Sequence, residues 1–170
     1  TAQIAVQSAL TGQLVLSTLH TNTAAGAIVR LQDMGIESYL ITSSVNGVLS
    51  QRLVRRLCDH CKQLYRPEAS VRVSSGLQRM GLDVPHLYKA VGCEHCRQTG
   101  YSGRCGIHEL LVLDDNMRRG ILDGLDAASL HTRATTAGMH TLYEDGLRKV
   151  ADGITSLEEL LRVTEDSSDA

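Results

Sequence analysis

Apolar positions along the chain keep two rhythms, and the changes between them mark out the elements. Over TAQIAVQSALTGQ (1–13), Ile4, Val6, Ala9 and Leu10 precede Gly12, which predicts a short helix closed by a C-terminal glycine. LVLSTL (14–19) is continuously apolar at its start, which predicts a strand covered on both faces, as in a parallel sheet. The run stops at His20. Thr21-Asn22-Thr23 then offers an N-cap for a helix carrying Ala27, Ile28, Leu31 and Met34 and stopped by Gly35. Ser38 predicts the start of a further helix to about Leu49, and RLVRRL (52–57) a strand leading into Cys58.

Residues 58–104 differ in texture. They hold two C-x-x-C pairs, both prolines (Pro67, Pro85) and several glycines, which marks a separate small module inserted between core elements. Past Gly106 the core pattern resumes with IHELLVL as a strand and Asp115 as the cap of NMRRGILDGL. In TLYEDGLRKVADG, Leu142, Tyr143, Leu147 and Val150 share a helix face that Gly153 ends. Thr155 and Glu158 form a T-x-x-E capping-box pattern ahead of Leu160, Leu161 and Val163, and the polar tail TEDSSDA is expected to fray. The predicted organisation is α/β: part of a core over 1–57, a cysteine-bearing insert over 58–104, and a returning strand with C-terminal helices over 105–170.

Composition narrows the class. Apolar residues make up 42%, enough for a sizeable core, and with five Tyr but neither Phe nor Trp that core must be aliphatic. A formal charge of −2 argues against a whole-domain nucleic-acid binder. No apolar stretch reaches the ~20 residues that span a bilayer, and no signal-peptide pattern opens the chain. The first residue is Thr1, and the chain reads as a piece of something longer. Paired cysteines without a secretory signal point to a reducing, cytoplasmic setting.

Cys58/Cys61 and Cys93/Cys96, with 31 residues between the pairs, offer four thiolates, enough to close a tetrahedral zinc shell. C-x-x-C turns sharply enough for both sulfurs to chelate one ion. His60 and His95 then point away, as outer or solvent-facing residues. A closed four-sulfur shell leaves no place for water, so the ion would be structural, holding together an insert poor in apolar residues. A zinc-ribbon nucleic-acid module is the rival reading, because Arg52, Arg55, Arg56, Lys62 and Arg66 cluster near the first knuckle with only Asp59 opposing them. No aromatic stacking platform adjoins them, however. Cys105 stands outside the pattern as a buried or weakly reactive thiol. His20-Thr21-Asn22, at the carboxyl end of a strand and before a helix N-terminus, sits where α/β sheets bind ligands and where anions are favoured. Taken alone, His20 fits a ligand contact and a structural histidine equally well.

In order along the chain, TGQLVLSTLHTN, RLVRRLCDHC, GCEHCRQTGYSGRCGIHELL and DGITSLEELLRVT closely resemble the carboxyl-terminal part of the type II secretion traffic ATPases, the GspE/PulE family. The resemblance covers nearly the whole chain, more weakly over residues 68–88. Relatives that assemble or retract type IV pili share the core, while the four-cysteine insert and the ITSLEELLRVT ending favour the secretion branch. The resemblance implies a RecA-like P-loop NTPase core that works as a homo-hexamer, peripheral at the cytoplasmic face of the inner membrane. There it would meet platform proteins, without inserting into the membrane and without nucleic acid, and ATP with Mg2+ would drive pseudopilus assembly. LSTLHTN matches the family's histidine box, which implies a γ-phosphate-side catalytic role for His20 with Thr21 beside the nucleotide. The box's usual earlier histidine is Gln13 here, which can donate a hydrogen bond but cannot shuttle a proton. Arg104 matches the arginine of the family's GRTGIHE segment, near the nucleotide and the subunit boundary, with Cys105 in place of its threonine. A salt bridge from Arg104 to Glu109 or another carboxylate is the alternative. No G-x-x-x-x-G-K-[S/T] occurs in the 170 residues. In the family, that phosphate loop and the acidic metal-side motifs precede the position of Thr1. The chain by itself is therefore expected not to hydrolyse ATP. An interaction module without nucleotide chemistry is the remaining alternative.

Overall fold

The computed structural model describes residues 1–82 and 84–165. Helices α1 (Ala2–Leu10), α2 (Ala24–Asp33) and α3 (Ser38–Ser44) lead to strand β1 (Gly47–Leu57). The short strand β2 (Gln63–Tyr65), helix α4 (Ala69–Ser74) and strand β3 (Leu87–Lys89) follow, then a 3-10 turn at Glu94–Cys96. The long strand β4 (Tyr101–Val112) precedes α5 (Asp115–Leu122), α6 (Ala127–Thr136), α7 (Leu142–Ala151) and α8 (Leu157–Glu165). The fold is thus mixed helix and strand. No helix among the described residues is long and apolar enough to cross a membrane.

Both sheets are two-stranded, β1 with β4 and β2 with β3. β2 and β3 run antiparallel, with Leu64 opposite Tyr88. For the long pair, the Leu113 N–H donates to the Asn46 carbonyl at one end (3.0 Å) and the Cys58 N–H to the Gly100 carbonyl at the other (2.9 Å), which makes it antiparallel as well. The parallel sheet expected around residues 14–19 is not formed among the described residues. LVLSTL pairs with nothing, and Leu14 and Leu16 are 85% and 88% exposed. A continuous apolar strand needs neighbours at its edges and over its faces, and no described residue supplies them.

The chain divides into two compact units, Thr1–Ser50 with Glu109–Thr141 and Gln51–His108 with Leu142–Ala170. In the first, α2 packs against α6, and α3 against α1 and α5, around Val6, Ile28, Ile41, Leu111, Ile121 and Leu130. In the second, α7 packs against α8 around Val54, Leu77, Leu87, Ile107, Leu147 and Leu160. The cysteine-bearing segment 58–104 lies wholly in this second unit, with the end of β1 and the C-terminal helices.

Local chemistry fixes most element ends. Thr23 caps α2, its hydroxyl accepting from the Gly26 N–H (3.0 Å), and Ala24, Ala27 and Ile28 are buried as predicted. Met34, expected on the buried face, is instead the exposed C-cap residue of α2. α3 ends at Ser44, short of the expected Leu49. The Thr42, Ser43 and Ser44 hydroxyls donate back to carbonyls three or four residues earlier, and Val45 leaves in an extended conformation. Two caps fall one residue away from their expected places. Asp114, not Asp115, caps α5 by accepting from the Met117 N–H (2.7 Å). Ser156, not Thr155, accepts from the Glu159 N–H (3.2 Å) at the start of α8, because the Thr155 hydroxyl donates to the Arg55 carbonyl (2.8 Å). Of the tail expected to fray, Thr164 and Glu165 belong to α8, and residues 166–170 lie outside the described residues.

Candidate functional site

Cys58 directly follows β1, and the Cys61 and Lys62 N–H groups donate back to its carbonyl, making a tight turn. The β2–β3 ladder then carries the chain back so that the second knuckle meets the first. That knuckle bends through the 3-10 turn into Arg97 and Gln98, both left-handed (φ 53° and 63°), with the Gln98 N–H donating to the Cys93 carbonyl. Gly92 (φ 120°) has no room for a side chain, since a Cβ there would lie 2.8 Å from the Gln98 carbonyl oxygen.

The result is four Sγ atoms all within 4.8 Å of one another. Cys58 to Cys93 is 3.9 Å, Cys61 to Cys96 3.8 Å and Cys93 to Cys96 3.7 Å. Four ligands at ~2.3 Å around one tetrahedral ion would have edges of about 3.8 Å, so the cluster fits a metal with tetrahedral thiolate preference. No S–S bond is present. Burial opposes ionisation of Cys96, but the N–H groups of Cys93 and Gly100 on its sulfur (3.2 Å each) and the neighbouring thiols outweigh it and bring its pKa to about 6. Burial and the surrounding thiols push Cys61 up to about 12, against a backbone N–H of Gly92. Four thiolates therefore do not coexist here without a cation to hold them.

His60 and His95 are exposed, as expected, and their rings stack with centroids 4.1 Å apart. The basic cluster is less open than its sequence suggests. Glu159, far away in sequence, takes Arg55, which also lies over the Tyr101 ring at 4.1 Å. Lys62 pairs with Asp59 (2.8 Å) and sits above Tyr88. Arg56 and Arg66 remain exposed. Cys105 is half-buried, and burial raises its thiol pKa.

In the first unit, His20 is exposed and stands just before the α2 turn. The Thr21 hydroxyl donates to the Thr23 carbonyl (3.2 Å), so it serves the turn itself. At the α2 N-terminus one backbone amide is taken by a carboxylate. The Ala24 N–H donates to Glu109 Oε1 (3.0 Å), and Glu109 is only 2% exposed. The Arg104–Glu109 salt bridge offered as the alternative is not formed among the described residues. Arg104 is exposed on β4 in the second unit. The structure thus assembles the four cysteines; His20 and Thr21 belong to the first unit and Arg104 to the second. Sequence reasoning passed over Glu109 as a site residue. The signal was its place in the buried register Ile107, Glu109, Leu111, where alternation calls for an apolar side chain.

A family described as Type II/IV secretion system protein matches residues 1–162, and the chain belongs to that family. It is 53% identical over 169 residues to the Type II secretion system ATPase E of Vibrio cholerae, covering 98% of this chain and 33% of that protein. It is 52% identical over 167 residues to the Type II secretion system protein HxcR of Pseudomonas aeruginosa (98% and 32%). It is also 51% identical over 164 residues to the Type IV pilus assembly ATPase PilB of Thermus thermophilus (96% and 18%). The chain spans about a third or less of these relatives' length. Secretion and pilus relatives stand at nearly equal identity, so identity does not separate the branches.

Proposed function

We propose that this chain is the carboxyl-terminal portion of a hexameric ATPase that drives pseudopilus assembly and protein export by type II secretion. The observation that carries the reading is identity of about half the residues, across nearly the whole chain, to proteins named as secretion and pilus ATPases. On this reading residues 1–57 and 105–170 belong to a RecA-like core and its C-terminal helices, and 58–104 to the metal insert. His20 works on the γ-phosphate side, with Thr21 and Arg104 near the nucleotide, and ATP and Mg2+ are held largely by residues outside this chain. The exposed Leu14 and Leu16 fit a strand that pairs with the rest of such a core. The enzyme would act in the cytoplasm, peripheral to the inner membrane, against platform proteins.

Cys58, Cys61, Cys93 and Cys96 would hold one structural zinc ion. When bound, the ion neutralises the thiolates and cross-links the two knuckles. A pilus-assembly role is the second reading, favoured by the 51% match to PilB. The test is ATP turnover by the longer protein containing this chain, with and without His20→Ala, beside the chain alone. A large loss in the variant and no turnover by the isolated chain are expected. Full activity of the variant, or turnover by the chain itself, would refute the assignment. Elemental analysis should find one zinc per chain.

A further inference from the structure

From the hydrogen bond that ties β4 to the start of α2, we infer that Glu109 is the positioning residue for His20. The inference rests on the nucleotide-site reading of His20 given above. A carboxylate in an apolar strand register is expensive to bury unless its bonds are made, so its presence there calls for a specific partner. That partner is the Ala24 N–H, one of the free amides at the positive end of a ten-residue helix, where a negative charge is favoured. The bond is charge-assisted and spans 85 residues of sequence, whereas the bonds made by the Thr21 and Thr23 hydroxyls are local. Thr21 donates to the Thr23 carbonyl, and Thr23 accepts from the Gly26 N–H. Gly26 keeps the turn tight, since a Cβ there would lie 3.1 Å from the Thr23 hydroxyl. Glu109 thus ties the start of α2 to strand β4. What the turn presents outward is the exposed side chain of His20.

The test is a double-mutant cycle in the longer ATPase. Glu109→Ala should lower kcat by up to about 100-fold with KM little changed, as loss of alignment does. In a His20→Ala background the same change should alter kcat by no more than about twofold. Glu109→Gln keeps an acceptor at this position and should restore most of the activity. If Glu109→Ala does not fold, Glu109→Asp, which withdraws the carboxylate by one methylene, carries the same cycle. An equal loss in both backgrounds would make Glu109 merely structural and overturn the inference, as would no loss at all. If instead His20→Ala leaves kcat intact, the nucleotide-site reading itself fails, and the cycle reports that separately.

Discussion

The Glu159 carboxylate is fully buried and accepts five hydrogen bonds. Three come from the Arg55 backbone N–H, Nε and Nη2, and two from Arg162 Nε and Nη2. Burial alone would raise its pKa, but Arg162 and Arg55 outweigh that and hold it near 2, against 4.5 for a free glutamate. A depression of that size corresponds to about 3 kcal/mol of folded-state stability at neutral pH. Both arginine side chains are about half exposed, so solvent screening makes this an upper value. Because the folded pKa is the lower one, the contribution is complete above pH 4.5 and fades as pH falls toward 2. By pH 3 about 2 kcal/mol of it is gone. Glu159→Gln removes the charge and turns an amide NH2 toward guanidinium donors. Urea unfolding read by tyrosine fluorescence suits the question, since four of the five tyrosines lie in the second unit. The variant should lose up to about 3 kcal/mol at pH 7, and its deficit should shrink to about 1 kcal/mol at pH 3. A deficit that is the same at both pH values would refute the argument, because the ion pairs would then not be its source.

Two further outcomes follow from packing and from the proposed metal site. Gly146→Ala places a Cβ against the fully buried Leu160, so overpacking of about 1–3 kcal/mol should exceed the ~1 kcal/mol gained in helix propensity. A lowered Tm is expected, and a raised one would show that Leu160 has room to move. Cys58→Ser, or stripping the ion with a chelator, should abolish amide-exchange protection in β2 and β3 while Ile28 in α2 stays protected. Loss of protection at both places would mean that the metal supports the whole chain.

What the sequence made legible was mostly local. Helices α2 and α7 followed from apolar spacing and a glycine stop, and the two C-x-x-C pairs came together as their spacing implied. The caps expected at Asp115 and Thr155 fell instead at the adjoining Asp114 and Ser156, where two cap-competent residues stand side by side. At Thr155 the choice was made by the distant Arg55 carbonyl. α6 escaped notice because AASLHTRATT buries only Leu130 and Ala134, although Asp126 caps it. LVLSTL was expected as a covered strand but forms none among the described residues, and Arg55 looked free because Glu159 lies 104 residues away. Propensity, spacing and capping were visible, whereas pairing across long separations was not.

The position of the cysteine cluster bears on how the long strands find each other. β1 and β4 are separated by residues 58–100, which carry both cysteine pairs, so pairing them requires closure of a long loop, an entropic burden that grows with its length. Cys58 abuts the last residue of β1, and Gly100, whose carbonyl binds the Cys58 N–H, abuts the first of β4. An ion shared by the two knuckles would reduce that loop to the few residues flanking each. It would also fix the strands' register from that end, where a slip of one residue would turn every side chain to the wrong face. The metal would then act as the clasp from which the ladder zips.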